Sequence, residues 1–238
     1  MADYGTLIYN KGSSVVIDSL YKNYSYQAHG TSNLLATPTE VIQGITPNTN
    51  NVAVAWRPTT SGYSVMNGLR LTGGVVDGIR FYSEVNQTIN YIYFTEGLKD
   101  PIPDYGLVVY GEDGTSIIFS SGETSYFKIL KSQIWNANIA VYGSCPSPSP
   151  PPNYVDITVN DADNNYFFVM GRQYGFVSCG STGVKHNFIT GLKKINSTTI
   201  RIGFFEIWSQ VYTGGGIFTG AASAHPQLFT EVEKPSSI

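Results

Sequence analysis

Charge is what this sequence has least of. Only 13% of its residues are Asp, Glu, Lys or Arg, about half of the ~25% usual in soluble domains. The formal net charge is −3, and no run of Lys or Arg exceeds the pair Lys193-Lys194. Nucleic-acid binding needs a concentrated basic face, so no nucleic-acid partner is expected. No apolar run approaches the ~18 residues of a membrane span, so membrane insertion is not expected either. The opening residues MADYGTLIYN lack a basic stretch followed by an apolar core, and no secretion signal of the usual form is expected. Cysteine is nearly absent. Cys145 and Cys179 stand 34 positions apart (179 − 145), form no CxxC pair and have no His at zinc spacing. Two readings stay open for them: unpaired thiols in a protein made in the cytoplasm, or a disulfide.

Catalytic signatures are missing as well. His29, His186 and His225 are far apart and read as surface or turn residues. There is no GxSxG elbow, no HExxH pair and no Walker-type lysine loop. No stretch keeps a helical period over three turns. Catalytic residues, cofactors and metal ligands are accordingly expected to be none, and the chain is expected not to be an enzyme.

What the chain does have is Tyr (17 residues) and Gly (25), with many Ser, Thr and Asn. These are the residues of sheets and turns. Tyr, with a flat apolar face and one polar tip, also suits surfaces that meet proteins or sugars. The chain also repeats itself. DYGTLIYNKGSSVVIDS from Asp3 returns as DYGLVVYGEDGTSIIFSS from Asp104. Leu7, Ile8 and Tyr9 align with Val108, Val109 and Tyr110. After one added turn residue, Val16, Ile17 and Ser19 align with Ile118, Phe119 and Ser121. Each copy is a β-rich run, a Gly-containing polar turn and a second β-rich run, the pattern of a hairpin. Two fainter blocks follow in the same order. NNVAVAW (50–56) resembles NNYFFVM (164–170), and VNQTINYIYF (85–94) resembles INSTTIRIGF (195–204).

The expected fold is therefore all-β, with two tandem β-sandwich-like units from an internal duplication and an irregular C-terminal tail. The first unit is expected over 1–101 and the second over 102–212, joined by DPIPD (100–104), with 213–238 as a tail or arm. CPSPSPPPN (145–153) reads either as a Pro-rich loop inserted in the second unit, the preferred reading, or as a domain boundary. Strands are expected at 6–9, 14–18, 52–56, 68–72, 78–82 and 89–95. In the second half they are expected at 107–110, 116–120, 125–130, 139–142, 155–159, 166–170, 176–178 and 199–208. MNG (66–68) reads as a further Asn-Gly turn, and GGVVDG (73–78) and GGG (214–216) as turns or bulges. Asp161, Asp163 and Asn165 sit at positions one, three and five of a possible calcium loop. Tyr166 and Arg172 occupy the places where that loop needs Gly and Glu, so a polar turn is the reading. The sequons at Asn23, Asn86 and Asn196 carry little without a secretion signal. Tyr21, Tyr24 and Tyr26 in LYKNYSYQ are the candidate interface aromatics. Either alternate rings of one strand enter the core, or the cluster is an exposed aromatic ladder at a subunit or ligand interface.

The opening DYGTLIYNKGSSVVIDSLYKNYSY resembles small structural proteins associated with the tail tip and tail fibre of tailed bacteriophages. The residues that carry the resemblance are Tyr4-Gly5, the apolar run to Tyr9-Asn10, Gly12 and Ile17-Asp18-Ser19. The second copy departs at Ser120, where the family has Asp. The resemblance implies a non-enzymatic β-sandwich component of the virion tail, synthesised in the host cytoplasm. It implies partners in other tail proteins and in copies of the chain itself, as a trimer or ring. Where the protein contributes to host attachment, a host surface glycan or pilus is a further partner. The alternative from composition alone is a carbohydrate-binding β-sandwich module, also non-enzymatic.

Overall fold

A computed structural model describes residues 7–9, 15–18, 24–48, 51–96, 108–110, 117–120, 129–135, 154–170, 174–179, 184–211, 218–220 and 227–235. The linker at 100–104, the Pro-rich segment 145–153, the strand expected at 139–142, Tyr21, Asn23, Cys145, GGG at 214–216 and His225 lie outside the described residues, as does the side chain of Cys179. Every regular element among the described residues is a strand.

The repeated motif forms the same hairpin twice. Strands β1 (Leu7–Tyr9) and β2 (Val15–Asp18) pair Leu7 with Asp18, Ile8 with Ile17 and Tyr9 with Val15, so the register slips at Val16. Strands β9 (Val108–Tyr110) and β10 (Ile117–Ser120) pair Val108 with Ser120, Val109 with Phe119 and Tyr110 with Ile117, and the slip falls at Ile118. Pairing and bulge both follow the alignment read from the sequence, in which Val16 answers to Ile118.

After its hairpin, the first half continues through β3 (Tyr24–Leu34), β4 (Val41–Asn48), β5 (Val52–Arg57), β6 (Ser64–Thr72), β7 (Val75–Ser83) and β8 (Gln87–Glu96). The second half continues through β11 (Ile129–Trp135), β12 (Val155–Thr158), β13 (Tyr166–Met170), β14 (Tyr174–Cys179), β15 (Val184–Asn196), β16 (Thr199–Val211), β17 (Phe218–Gly220) and β18 (Gln227–Val232). One sheet runs β11-β18-β13-β5-β8-β3. The other runs β12-β16-β15-β6-β7-β4, with β14 and β17 attached beside β15. Each half thus supplies three adjoining strands to each sheet and is a small sandwich of its own. Outward from the middle, β5, β8 and β3 are answered by β13, β18 and β11, and β6, β7 and β4 by β15, β16 and β12. The chain visits these places in the same order in both halves, so an approximate twofold axis passes between them. The two sandwiches share continuous sheets.

Strand burial follows the period of two. Ile89, Tyr91 and Tyr93 of β8 enter the layer between the sheets, where they meet Phe81 of β7, Phe188 and Leu192 of β15, and Ile200, Ile202 and Phe204 of β16. Ile92 and Phe94 of β8 face outward yet are also buried, with Ala55 and Tyr166 beside them. A central strand covered on both faces needs a continuous apolar run, and INYIYF supplies it. Edge strand β4 instead alternates half-buried with exposed residues and carries Pro47, which an edge tolerates because no ladder bond is lost there.

The structure corrects several expectations. Residues 195–204 are not the counterpart of β8. They span the end of β15, a turn and the start of β16, and the place equivalent to β8 belongs to β18. Both segments offer a polar turn before an apolar strand, and strand periodicity does not say which sheet a strand joins. The tail expected to be irregular contributes β18, inserted between β11 and β13, so the second copy of the fold closes beyond residue 212. MNG is a bulge within β6, with Gly68 at φ 151° and a register shift against β7. The turn lies at Gly73-Gly74, whose φ values of 60° and 84° suit glycine in a tight hairpin.

Gly191 of β15 is a glycine on which the fit of the halves depends. A Cβ there would stand 2.9 Å from the Ser64 carbonyl oxygen of β6 and 2.7 Å from the Phe205 ring. Gly191→Ala is expected to force β6 and β15 apart and to cost about 1–3 kcal/mol, read as a lower urea midpoint at unchanged slope.

Candidate functional site

Among the described residues, strand pairing joins the two halves at two residue pairs, one in each sheet. Trp56 of β5 faces Phe167 of β13, and Ser64 of β6 faces Leu192 of β15. All four are buried, Trp56 at 1% and Phe167 at 0% exposure. The pairs are tied together across the sandwich, because the Trp56 indole N–H donates to Ser64 Oγ at 3.1 Å. Trp56 also meets Phe81 edge-on at 6.4 Å, and Phe167 stacks on Phe229 at 5.6 Å. An indole supplies both the area and the one donor this junction uses.

From this junction β5 and β13 diverge. On one side the seam is closed by Arg57, which lies 4.6 Å over the Tyr166 ring and donates to the carbonyl oxygens of Asn164 (2.5 Å) and Asn165 (3.3 Å). The turn that presents those carbonyls is held by a carboxylate from the end of the chain. Glu231 of β18, 0% exposed, accepts from the backbone N–H groups of Asn160 (2.9 and 3.0 Å) and Asp161 (3.1 Å). It also accepts from the side-chain amides of Asn160 (2.9 Å) and Asn165 (2.7 Å). A buried carboxylate is tolerated where donors converge on it like this. On the other side of the junction the seam stays open as a cleft of about 390 Å³ lined by Tyr24, Ala53, Trp56, Phe168 and Met170 among others, with Met66 reaching in from the second sheet.

The residues singled out from the sequence fall as follows. Asp161 caps the turn, accepting from the N–H groups of Asp163 (2.9 Å) and Asn164 (3.1 Å) and from the Asn164 amide (2.7 Å). The Asn164 amide is the main reason its carboxyl sits below the usual range. Asp163 pairs with Lys194, and Asn165 is spent on Glu231, so this stretch is a polar turn. Tyr24 and Tyr26 share the outer face of β3. Tyr26 is only 4% exposed, hydrogen-bonded to His29 Nδ1 at 2.6 Å and edge-on to Phe94 at 6.3 Å. The exposed-ladder reading is corrected for Tyr26, because the outer face of this sheet is itself a packed layer. Tyr24 is half-buried and borders the cleft. Burial pushes both hydroxyls up in pKa, with Glu96 adding to the effect at Tyr24 and Tyr166 and Tyr93 at Tyr26.

His186 was read as a surface or turn residue, but it stands on β15 with Nδ1 2.8 Å from Glu206 Oε1. Its buried Nε2 has no hydrogen-bond partner. A carboxylate-oriented imidazole is one part of general-base machinery; among the described residues no hydroxyl or thiol is bonded to this Nε2. The sequence held no sign of it, since only the β15–β16 register brings the two together.

No family model, no curated protein and no solved structure matches the chain. The geometry at the seam is that of a structural junction with one apolar opening. Glu231→Ala strands several buried donors at once and is expected to cost about 3 kcal/mol. Glu231→Gln keeps one acceptor oxygen and is expected to cost less than the alanine change; urea unfolding of both variants measures the difference.

Proposed function

We propose that the protein is a structural component of a bacteriophage tail, at the tail tip, baseplate or fibre, and performs no catalysis. The observation that carries this reading is the doubled opening motif. The stretch that resembles the tail-protein family includes β1 and β2, and the same hairpin with the same bulge opens the second half. Several further features favour the reading. A sandwich with sheets continuous across both halves presents two similar ends to neighbours. Its outer strands β3, β4, β11 and β12 lie at the ends of the two six-strand paths, and sheet edges are places where neighbouring chains add on. β4 carries no charged residue to discourage such pairing, and Ile134 on β11 is 65% exposed. The partners proposed are further copies of the chain, in a trimer or ring, and other tail proteins, with a role in host attachment included.

The reading is tested by a mass-spectrometric inventory of purified virions of the phage that encodes the chain, together with light scattering of the isolated protein. The expected result is the protein in the particle at a fixed ratio to the other tail proteins. Virions that lack it would overturn the reading. A trimer or larger ring in solution would support self-assembly before docking.

A further inference from the structure

The cleft at the open side of the seam has no place in a purely structural role. It passes between two strands of one sheet. Tyr24, Ala53, Phe168 and Met170 border it on the outer face, and Trp56 and Met66 belong to the layer between the sheets. Its volume of about 390 Å³ falls within the ~300–1,000 Å³ typical of small-molecule sites. None of its lining residues is charged. The two polar side-chain atoms of the lining are the Trp56 indole nitrogen and the Tyr24 hydroxyl, and the indole N–H is already given to Ser64. A cavity with such walls stays dry and favours apolar occupants. Met66 and Met170, unbranched and polarisable, can adjust to an occupant's shape, and Met170 at 57% exposure stands at the mouth.

The chemistry also says what the cleft would refuse. Tyr24 pairs with Glu96 across β3 and β8, and that carboxylate adds to the upward push that burial gives the Tyr24 hydroxyl. Arg57 is committed on the far side of Trp56 to Asn164 and Asn165. Among the described residues, the lining offers an anionic headgroup no cation.

We propose that the seam cleft binds an uncharged apolar small molecule, the size of a two-ring aromatic or a medium-length aliphatic chain, with at most one hydrogen-bonding group placed at Tyr24. The site exists only because the two halves are fused: β5 and β13 each supply a wall, and neither half alone encloses it.

The test uses the full chain and two dyes with the same rings, the neutral N-phenyl-1-naphthylamine and the anionic 1-anilinonaphthalene-8-sulfonate. The neutral dye is expected to saturate at one per chain, and the sulfonate to bind roughly tenfold or more weakly. Ala53→Trp, on the outer wall, is expected to abolish saturable binding. Because that variant could fail to fold, Met170→Glu, at a position 57% exposed, gives a second readout. It is expected to weaken binding of the neutral dye roughly tenfold or more with the urea midpoint unchanged. Absence of saturation by the neutral dye, equal binding of the two dyes, or unchanged affinity in Met170→Glu would each overturn the proposal.

Discussion

The structure depends on one buried contact, the Trp56 indole. On its own sheet it faces Phe167 of the other half. Across the sandwich its N–H bonds to Ser64, whose strand meets the other half again at Leu192. One side chain therefore links both sheets and both halves. Strand pairing across the seam is otherwise sparse among the described residues, with one registered pair in each sheet. Side-chain packing around Trp56, Phe81, Phe167 and Phe229 carries the continuity that a long hydrogen-bonded ladder would usually supply.

That arrangement explains why the seam is used unequally. Two strands that touch at one point must diverge on both sides of it. On one side the wedge is filled by Arg57 and by the turn that Glu231 holds in place from β18. On the other it is lined by apolar side chains and left open. The approximate twofold relation between the halves does not extend to their side chains, so the two sides of the axis are free to take different roles.

Legibility from the sequence varied with how local the signal was. The hairpin repeat could be read residue by residue, though not its bulge, because everything that specifies the pairing lies within one motif. NNVAVAW and NNYFFVM were matched on sequence and are β5 and β13, which meet at the seam. The third match failed because a polar turn followed by an apolar strand describes several strands equally well. Strand β3 was foreseen only at its start, around Tyr24 and Tyr26, and β4 and β15 were missed, for another reason. YSYQAHGTSNL, VIQGITPN and VKHNFITGLKKIN carry Gly, His, Pro or a Lys pair, and tertiary pairing overrides such weak propensities. Strand β18 was hidden by its surroundings, a short alternating run in a Gly-rich tail. The contacts of the seam were out of reach altogether. Arg57 and Asn164 are 107 positions apart and Asn165 and Glu231 are 66, and only the fold brings them together.

The central claim is that the two halves are one cooperative body joined at Trp56. It is tested most directly by urea unfolding followed in parallel by far-UV circular dichroism, which reports all strands, and by tryptophan fluorescence of a Trp135→Phe, Trp208→Phe variant, in which Trp56 alone reports the seam. The account predicts a single transition with coincident midpoints, although a chain of 238 residues is longer than those that usually unfold in one step. Two separated transitions, with tryptophan emission changing in one of them alone, would contradict it.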